Sequence, residues 1–267
     1  MNIPEFKIPF AGVGANYTDN EISAVMDAMH STSTLTQGEY QEEFQNIFSD
    51  YVQKKYSFAT SCAATALELA ALLLQFKPGD EVICPAHTYC ASAFPFAKHG
   101  AKLVWADINP DTWVIDAKTV EPLITDKTRA IIAVHLYGLP VDMSSIRSIS
   151  NDKGITLIED CAQAHGSKYK GKAVGTIGDI GVFSLNVNKT IQSGEGGVCI
   201  TDNEELAYRL QLIRNHGEAV VGPANYGNIT NIAGFNYRLT ELQAAIAREQ
   251  LKKLDKLNAK RLQLVDR

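Results

Sequence analysis

The sequence lacks both concentrated positive charge and long apolar runs. Its 25 Lys and Arg residues are outnumbered by 30 Asp and Glu residues, which gives a net charge of −5. A nucleic-acid surface needs clustered Lys and Arg, so we do not expect this class of partner. No run approaches the ~20 apolar residues that cross a bilayer, and the first residues lack the pattern of a signal peptide. These absences favour a cytoplasmic protein that binds neither nucleic acid nor membrane.

The densest group of basic residues lies near residue 260 and alternates with leucine at helical spacing. It comprises Lys252, Lys253, Lys256, Lys260 and Arg261. Apolar residues at steps of three and four predict an amphipathic helix, and we interpret these cations as its solvated face.

Several catalytic and metal-binding motifs are also missing. Five cysteines are scattered without CxxC spacing, which favours reduced thiols over disulfides or zinc. The absence of GxxxxGK(S/T), and of GxGxxG after a strand, disfavours nucleoside-triphosphate and nicotinamide folds. Without GxSxG or HExxH, neither a Ser-His-Asp hydrolase nor a zinc protease is expected. We interpret His87, His135 and His165 as neutral, hydrogen-bonded histidines rather than metal ligands.

From residue 56 onward, short β-branched runs alternate with helical patterns. This alternation predicts an α/β fold whose mostly parallel sheet is flanked by helices. The runs are almost continuously apolar, as in strands that are buried on both faces. Seven strands are predicted, at residues 56–60, 81–86, 102–108, 129–138, 155–160, 181–186 and 196–201. Helices are predicted between them at residues 63–76, 91–100, 118–125 and 144–154.

The remaining segments define the domain organisation that we expect. Residues 1–35 form an N-terminal segment, and residues 36–238 form one large domain. Within that domain a helix is predicted at 203–216, and a loop at 220–235, which is rich in Gly and Asn. The apolar spacing of residues 239–267 predicts one long helix that leads toward a further domain.

Polar residues follow the predicted strands at the points where the strands end. In open α/β sheets, ligands bind at this carboxyl edge. The residues expected there are Thr60–Ser61, His87–Tyr89, His135–Tyr137, Asp160–Gln163 and Ser184–Lys189. We therefore expect an acid, an amide, a hydroxyl group, an aromatic ring and a lysine to converge on one cleft.

Two of these residues have a distinctive chemistry. A carboxylate such as Asp160, at the end of an apolar strand, needs a partner such as a protonated pyridine nitrogen; the alternative is a turn or helix-cap Asp. Lys189, in a partly dehydrated cleft, would have a lowered pKa and could form an imine; the alternative is a solvated loop lysine. The helix predicted from Ala63 offers free backbone N–H groups to a phosphate, unless Ser61 simply caps it.

Four segments, taken in order, resemble the DegT/DnrJ/EryC1/StrS family of pyridoxal-phosphate (PLP)-dependent sugar aminotransferases. They are TSCAATALELAALLL, KPGDEVICPAHTYCASA, IEDCAQAHGSKYKGKAVGTIGDIGVFSLNVNKTIQSGEGG and GFNYRLTELQAAI. Several motifs in a fixed order are far more specific than one motif, and the likeness spans nearly the whole chain. It implies the large domain of the fold type I, aspartate aminotransferase-like enzymes, with pyridoxal 5'-phosphate as the cofactor.

The resemblance also implies roles for individual residues. Lys189 matches the lysine that binds PLP as a Schiff base, Asp160 the carboxylate that pairs with the pyridine nitrogen, and Gln163 an amide beside the ring. By the same resemblance, Ser184 and the backbone amides of Ala63 and Ala64 are expected to contact the phosphate. Tyr89 is expected to stack on the face of the ring. Asn236 is expected to reach the phosphate of the cofactor in a neighbouring subunit. A homodimer with a shared active site is therefore implied.

One position departs from the pattern of many relatives. Ala63-Ala64 stands where they have Gly-Thr. The backbone amides remain available, but one hydroxyl contact with the phosphate is expected to be lost or to pass to Ser61 or Thr65.

The implied activity is transfer of an amino group from an amino acid, L-glutamate, to a keto-sugar that is linked to a nucleotide diphosphate. Such a reaction serves glycan or cell-surface sugar biosynthesis. The first alternative is a PLP-dependent sugar dehydratase on the same fold, although such relatives can carry histidine at the position of Lys189. The second is an inactive cofactor-binding fragment, because chains of this family continue into a C-terminal small domain that is largely absent from these 267 residues.

Overall fold

A seven-stranded sheet lies at the centre of the protein, in a computed structural model that describes residues 17–31, 34–218 and 233–265. Its strands are β1 (Tyr56–Thr60), β2 (Glu81–Pro85), β3 (Lys102–Ala106), β4 (Thr128–Val134), β5 (Thr156–Asp160), β8 (Ile180–Ser184) and β9 (Gly197–Thr201), and a separate hairpin contains β6 (Lys168–Tyr169) and β7 (Lys172–Ala173). The strand order in the sheet is β1-β9-β8-β5-β4-β2-β3. Strands β3, β2, β4, β5 and β8 are parallel, whereas β9 pairs antiparallel with both β8 and β1. The predicted α/β class with a mostly parallel seven-stranded sheet is confirmed.

Helices cover both faces of this sheet. They are α1 (Asp19–Ser31), α2 (Glu39–Val52), α3 (Ala63–Leu74), α4 (Phe94–Lys98), α5 (Ala117–Val120), α6 (Met143–Lys153), α7 (Glu204–Arg214), α8 (Glu241–Leu251) and α9 (Leu254–Val265). Short 3-10 turns occupy Cys90–Ser92, Glu121–Leu123 and Leu136–Gly138. Within the described ranges, none of the helices combines the length and the apolar character needed to cross a membrane.

Capping side chains fix where several helices begin and end. Asn203 accepts a hydrogen bond from the N–H of Leu206 at the start of α7, over 3.0 Å. Thr240 and Gln243 bond reciprocally at the start of α8 and form a capping box. Helix α6 ends at Gly154, whose φ of 65° lies in the left-handed region that glycine adopts at the lowest cost.

Two apolar clusters fill the space between the sheet and the helices that pack on it. One contains α3, α4, α6 and α7 residues such as Leu67 and Ile146, and the other contains α2 and α8 residues such as Phe44 and Ala245. Strand β9 shows the alternation expected of a strand between two layers, since Val198 packs in the second cluster and Cys199 in the first. Burial on both faces explains why the strand sequences are almost continuously apolar.

The structure corrects the predicted bounds of several elements. The predicted strand 129–138 ends at Val134, and a 3-10 turn follows in which Tyr137 has a φ of 54°. The predicted helices 91–100 and 118–125 each consist of one short α-helix and one 3-10 turn. Pro95 and Pro122 each lie in the first turn of the second segment, where they lack the N–H that would continue the preceding turn.

The single long helix predicted at residues 239–267 is two helices that meet at Lys252 and Lys253. The basic residues of this region are also not simply a solvated face, since Lys253 pairs with Glu21 and Arg261 donates a hydrogen bond to Thr190. The predicted loop 220–235 falls mostly on residues 219–232, which lie outside the described residues.

The starts of α2 and α8 are joined by one buried carboxylate. Glu241, which is fully buried, accepts hydrogen bonds from the N–H groups of Gly38 (2.9 Å), Tyr40 (2.8 Å) and Gln41 (3.3 Å). These are N–H groups at the start of α2 that have no partner within the helix. Glu241 therefore caps a helix to which it is adjacent only in the folded chain.

Candidate active site

A cavity of about 490 Å³ opens at the carboxyl edge of the parallel strands. Its walls come from the start of α3, the turn after β2, and the loops after β5 and β8. Among its lining residues are seven of the eight predicted site residues, namely Ala63, Ala64, Tyr89, Asp160, Gln163, Ser184 and Lys189. Strands β5 and β8 are neighbours and run parallel, so their polar ends meet at one edge.

Asp160 is the last residue of β5 and is 5% exposed. Its Oδ2 accepts a hydrogen bond from the hydroxyl group of Ser92 (2.7 Å), and its Oδ1 accepts one from the N–H of Ala162 (3.0 Å). A carboxylate can accept about four hydrogen bonds, so two donors leave part of its capacity for a further cation or donor.

Lys189 lies in the loop after β8, in a half-buried position. Its backbone N–H donates to the carbonyl oxygen of Asn186 over 2.9 Å, which closes a tight turn. Burial lowers the pKa of the Lys189 amine, while the negative charge of Asp160 acts in the opposite direction. The lysine and the acid therefore line the same cavity and interact electrostatically.

Gln163 and Ser184 are both engaged by backbone groups. The Oε1 atom of Gln163 accepts a hydrogen bond from the N–H of Tyr137 (2.9 Å). The hydroxyl group of Ser184, which is buried, accepts one from the N–H of Asn186 (3.3 Å). The orientation of the Gln163 amide is thus fixed by the 3-10 turn Leu136–Gly138, which follows β4.

The start of α3 forms one wall of the cavity. Cys62 is the N-cap residue, and the hydroxyl group of Thr65 donates to the carbonyl oxygen of Cys62 over 2.7 Å. The hydroxyl groups of Ser61 and Thr65 lie 3.2 Å apart. A Cβ atom at Gly197 would lie 2.6 Å from the backbone nitrogen of Ala63, so only glycine allows β9 to approach the helix start this closely.

Tyr89 and Asn236 have different positions relative to the cavity. Tyr89 lines it and is 71% exposed. Asn236 is exposed and does not line it, and its Oδ1 accepts a hydrogen bond from the N–H of Arg238 over 3.4 Å. The structure therefore brings together every predicted site residue except Asn236.

Comparison with protein families gives a match over almost the entire chain. The model of the DegT/DnrJ/EryC1/StrS aminotransferase family matches residues 16–267. The chain belongs to this family.

Individual relatives of this DegT-family chain carry the names of enzymes. The chain is 39% identical to GDP-perosamine synthase of Escherichia coli O157:H7, over 93% of its own length and 67% of the relative's length. Among solved structures, an aminotransferase from Psychrobacter cryohalolentis superposes with a TM-score of 0.86 and 33% identity, and the match covers 93% of this chain and 65% of that one. The chain thus spans about two thirds of the length of these relatives.

A second solved neighbour catalyses a different reaction on the same fold. It is an Escherichia coli GDP-4-keto-6-deoxy-D-mannose-3-dehydratase with bound hydrated PLP. Its TM-score is 0.84 with 30% identity, and the match covers 93% of this chain and 69% of that one. The neighbour and the family match confirm PLP as the cofactor of the family to which the chain belongs.

Two residues of the cavity in this DegT-family chain were missed by the sequence-based prediction. Ser92 holds Asp160, and Glu195 lines the opening, where its carboxylate accepts a hydrogen bond from Asn186 over 2.8 Å. Ser92 lies in a segment that was predicted as helix, and nothing local distinguishes it from other serines. Glu195 belongs to the glycine-rich run 194–197, which signalled only a turn.

The histidines predicted to be neutral differ in their surroundings. Burial and the charge of Lys189 lower the pKa of His165 to about 4, so its ring is uncharged near neutrality. The N–H of Val141 donates to Nδ1 of His135 (3.1 Å), so Nε2 carries the proton and donates to Glu159 (2.9 Å).

The buried group of His135, Glu159 and Cys161 has donor atoms close enough for a metal ion. Its polar atoms are already engaged, however. Besides His135, Glu159 accepts the N–H groups of Gly175 (2.7 Å), Ile177 (2.7 Å) and Gly178. Burial opposes the charge on Glu159, but His135 and these N–H groups lower its pKa. The group anchors residues 175–178 to Glu159 of β5.

A larger cavity of about 610 Å³ lies at the opposite, amino edge of the sheet. Its charged side chains pair with one another, Arg147 with Asp179 over 2.8 Å and Lys54 with Asp202 over 2.9 Å. None of the predicted site residues lines it. Size alone therefore does not identify the functional cavity of this DegT-family chain.

Proposed function

We propose that this protein is a PLP-dependent aminotransferase that moves an amino group from an amino acid, L-glutamate, to a keto-sugar linked to a nucleotide diphosphate. The observation that supports this most directly is that Lys189 and Asp160 line one cavity together with the start of α3. PLP has three groups that a protein must bind. A lysine binds its aldehyde, a buried acid faces its ring nitrogen, and free N–H groups at a helix start bind its phosphate.

The residues present fit this cofactor. The cavity, at about 490 Å³, lies within the range typical of cofactor sites. Asp160 retains acceptor capacity beyond Ser92 and Ala162. The backbone of Ala63 and Ala64, at the first turn of α3, lines the cavity at the end of the helix that favours anions.

When bound, PLP supplies an electron sink for the negative charge that develops on the substrate carbon. Asp160 would hold the proton on the ring nitrogen, because its carboxylate accepts two hydrogen bonds, retains acceptor capacity and, among the described residues, forms no ion pair with a cationic side chain. Lys189 would hold the cofactor through its amine, and the same amine would carry a proton to and from the substrate carbon. Its lowered pKa favours the neutral amine that both tasks need.

The remaining site residues bind and orient. Ser184 and the amides of Ala63 and Ala64 would hold the phosphate, and Tyr89 and Gln163 would contact the ring. Asn236 serves the cofactor of a second copy of the chain, so we propose a homodimer. Its exposed position outside its own cavity supports this assignment. We place the reaction in the cytoplasm, in the biosynthesis of glycan or cell-surface sugars.

The dehydratase alternative shares the fold, so the fold does not distinguish it. Lys189 favours transamination, because a lysine can both hold the cofactor and return the proton, whereas sugar dehydratases of this family can carry histidine there. The complete set of Asp160, Gln163, Ser184 and Lys189 likewise favours a working site over a degenerate one.

The deciding experiment uses the full-length protein loaded with PLP. Addition of L-glutamate is expected to convert the visible absorbance band of the bound cofactor to the ultraviolet band of its amino form. Borohydride reduction and peptide mapping are expected to find the adduct on Lys189, and K189A is the control. No spectral change, or an adduct on another lysine, would refute the proposal. Elimination of water from the sugar without net amino transfer would support the dehydratase instead.

A further inference from the structure

We propose that helix α9 positions the cofactor site through two side chains, Asn258 and Arg261, which hold the loop after Asp160 and the loop that carries Lys189. The proposal rests on the proposed function, since it concerns the lysine that would bind PLP. Neither residue touches the cavity, so both are positioning residues rather than catalytic ones.

Asn258 binds the loop that follows Asp160. Its Nδ2 atom donates a hydrogen bond of 2.8 Å to the carbonyl oxygen of His165. A Cβ atom at Gly166 would lie only 2.5 Å from this Nδ2 atom, and Gly166 has a φ of +83°. Glycine is therefore required at residue 166 both for its backbone conformation and for the approach of Asn258.

Arg261 binds the loop that carries Lys189. Its Nη1 atom donates a hydrogen bond of 2.7 Å to the hydroxyl group of Thr190, the residue directly after the lysine. The N–H of Lys189 itself donates to Asn186 within the loop. The lysine is thus held by its own turn on one side and by α9 on the other.

A third contact fixes α9 against α2. The hydroxyl group of Tyr51 donates to Oδ1 of Asp255 over 2.7 Å, and Leu254 is 1% exposed in the apolar cluster that contains the α2 and α8 residues. The helix is therefore seated independently of the two loops that it holds.

These contacts connect the loop that follows the acid and the loop that carries the lysine to one rigid element. PLP requires a fixed distance between the group that faces its ring nitrogen and the amine that meets its aldehyde. Displacement of a reacting group by about 1 Å is enough to impair a site of this kind. We therefore assign to α9 the spacing between Asp160 and Lys189, although its sequence suggested only a basic, solvated face.

The test compares PLP binding in N258L and R261Q with that in K260Q, which removes a neighbouring exposed cation of α9. Loss of one hydrogen bond is expected to weaken PLP binding about three- to tenfold. The pH midpoint of the visible absorbance band should also shift, because it reports the surroundings of the Lys189 amine. R261K keeps a hydrogen-bond donor, so its PLP affinity and pH midpoint should lie close to those of the unaltered protein. In the double variant R261Q/T190V the losses should not add, because both remove the same contact.

Unchanged PLP affinity and pH midpoint in N258L and R261Q, within about twofold of K260Q, would overturn the proposal. Should R261Q fail to fold, T190V removes the same contact from the loop side, and an unchanged midpoint there would be equally decisive. Failure of the proposed function would look different. The unaltered protein would then show neither a visible band nor a Lys189 adduct.

Discussion

The hydroxyl group of Ser92 donates a hydrogen bond of 2.7 Å to Oδ2 of Asp160, although 68 residues separate them in the sequence. The hydroxyl groups of Thr88 and Ser92 lie 2.7 Å apart. Since an ionised carboxylate only accepts, the Ser92 proton points at Asp160 and Thr88 must be the donor to Ser92. A chain of two hydroxyl groups thus stabilises the charged form of the acid that we assign to the pyridine nitrogen.

The variant S92A is expected to weaken PLP binding about tenfold, because the Asp160 carboxylate loses the buried hydroxyl donor that orients it. Spectroscopic titration of the apoprotein with PLP measures this. The matched control is S57A, which removes a serine hydroxyl that donates to the carbonyl oxygen of Gln45 over 2.6 Å, away from the cavity. Equal PLP affinities in the two variants would show that Ser92 does not act through Asp160.

Acid stability should depend on Glu21, which is 2% exposed. Burial alone would raise the pKa of its carboxyl group, but hydrogen bonds from Lys253, Thr18 and Gln250 lower it to about 2 from the ordinary 4.5. A group whose pKa is depressed on folding stabilises the protein above the unfolded value. That contribution is lost as the pH falls from about 5 toward 2.

E21Q should therefore lower the free energy of unfolding by about 2–3 kcal/mol at pH 7 and flatten its decline below pH 5. Urea unfolding at several pH values measures both quantities. The control D19N alters an exposed carboxylate of the same helix and should leave the profile nearly unchanged. A profile for E21Q that runs parallel to that of the unaltered protein would contradict the assignment.

The contact between α8 and α2 should depend on the charge of Glu241. In E241Q, one of the two oxygens that accept the N–H groups of Gly38, Tyr40 and Gln41 becomes an NH₂ donor that faces other donors. We expect a loss of about 2–3 kcal/mol in the free energy of unfolding, as for a buried charge-assisted hydrogen bond. Thermal unfolding measures it. E39Q, at the exposed first residue of α2, is the control. Equal melting temperatures would exclude the capping role.

The sheet and most of the site could be predicted from the sequence because both depend on local pattern. Short apolar runs identified the seven strands, and the rule that parallel strands end at one edge brought Asp160 and Ser184 together. Lys189 follows directly, since it lies in the loop after Ser184. The resemblance then gave these side chains their roles.

The parts that could not be predicted depend on contacts between distant segments. Ser92 acquires its function only when the turn after β2 meets the end of β5. Glu21 and Lys253 lie at opposite ends of the chain, and their pairing accompanies the break between α8 and α9. Strand β4 is shorter than predicted because a turn follows it, in which Tyr137 adopts a φ of 54° and donates its N–H to Gln163. No local periodicity records such contacts.

Gly197 should control the geometry of the phosphate-binding turn. It pairs with Thr60 at the end of β1, and a Cβ atom there would lie 2.5 Å from the carbonyl carbon of Cys62 and 2.6 Å from the nitrogen of Ala63. The neighbouring atoms belong to the backbone, so they cannot move aside as a flexible side chain would. In G197A the first turn of α3 must therefore shift away from β9, which displaces the N–H groups that we assign to the phosphate.

We expect G197A to weaken PLP binding by more than about tenfold, through both the displaced amides and the strain of the clash. The control is G194A, in the same glycine-rich run. Gly194 has a φ of +82°, but a Cβ atom there would meet nothing within 4 Å. Alanine at 194 thus introduces only backbone strain of about 1 kcal/mol, with no displacement of α3. If G194A and G197A lost PLP affinity equally, flexibility of the turn, rather than close approach to α3, would explain why glycine occupies residue 197.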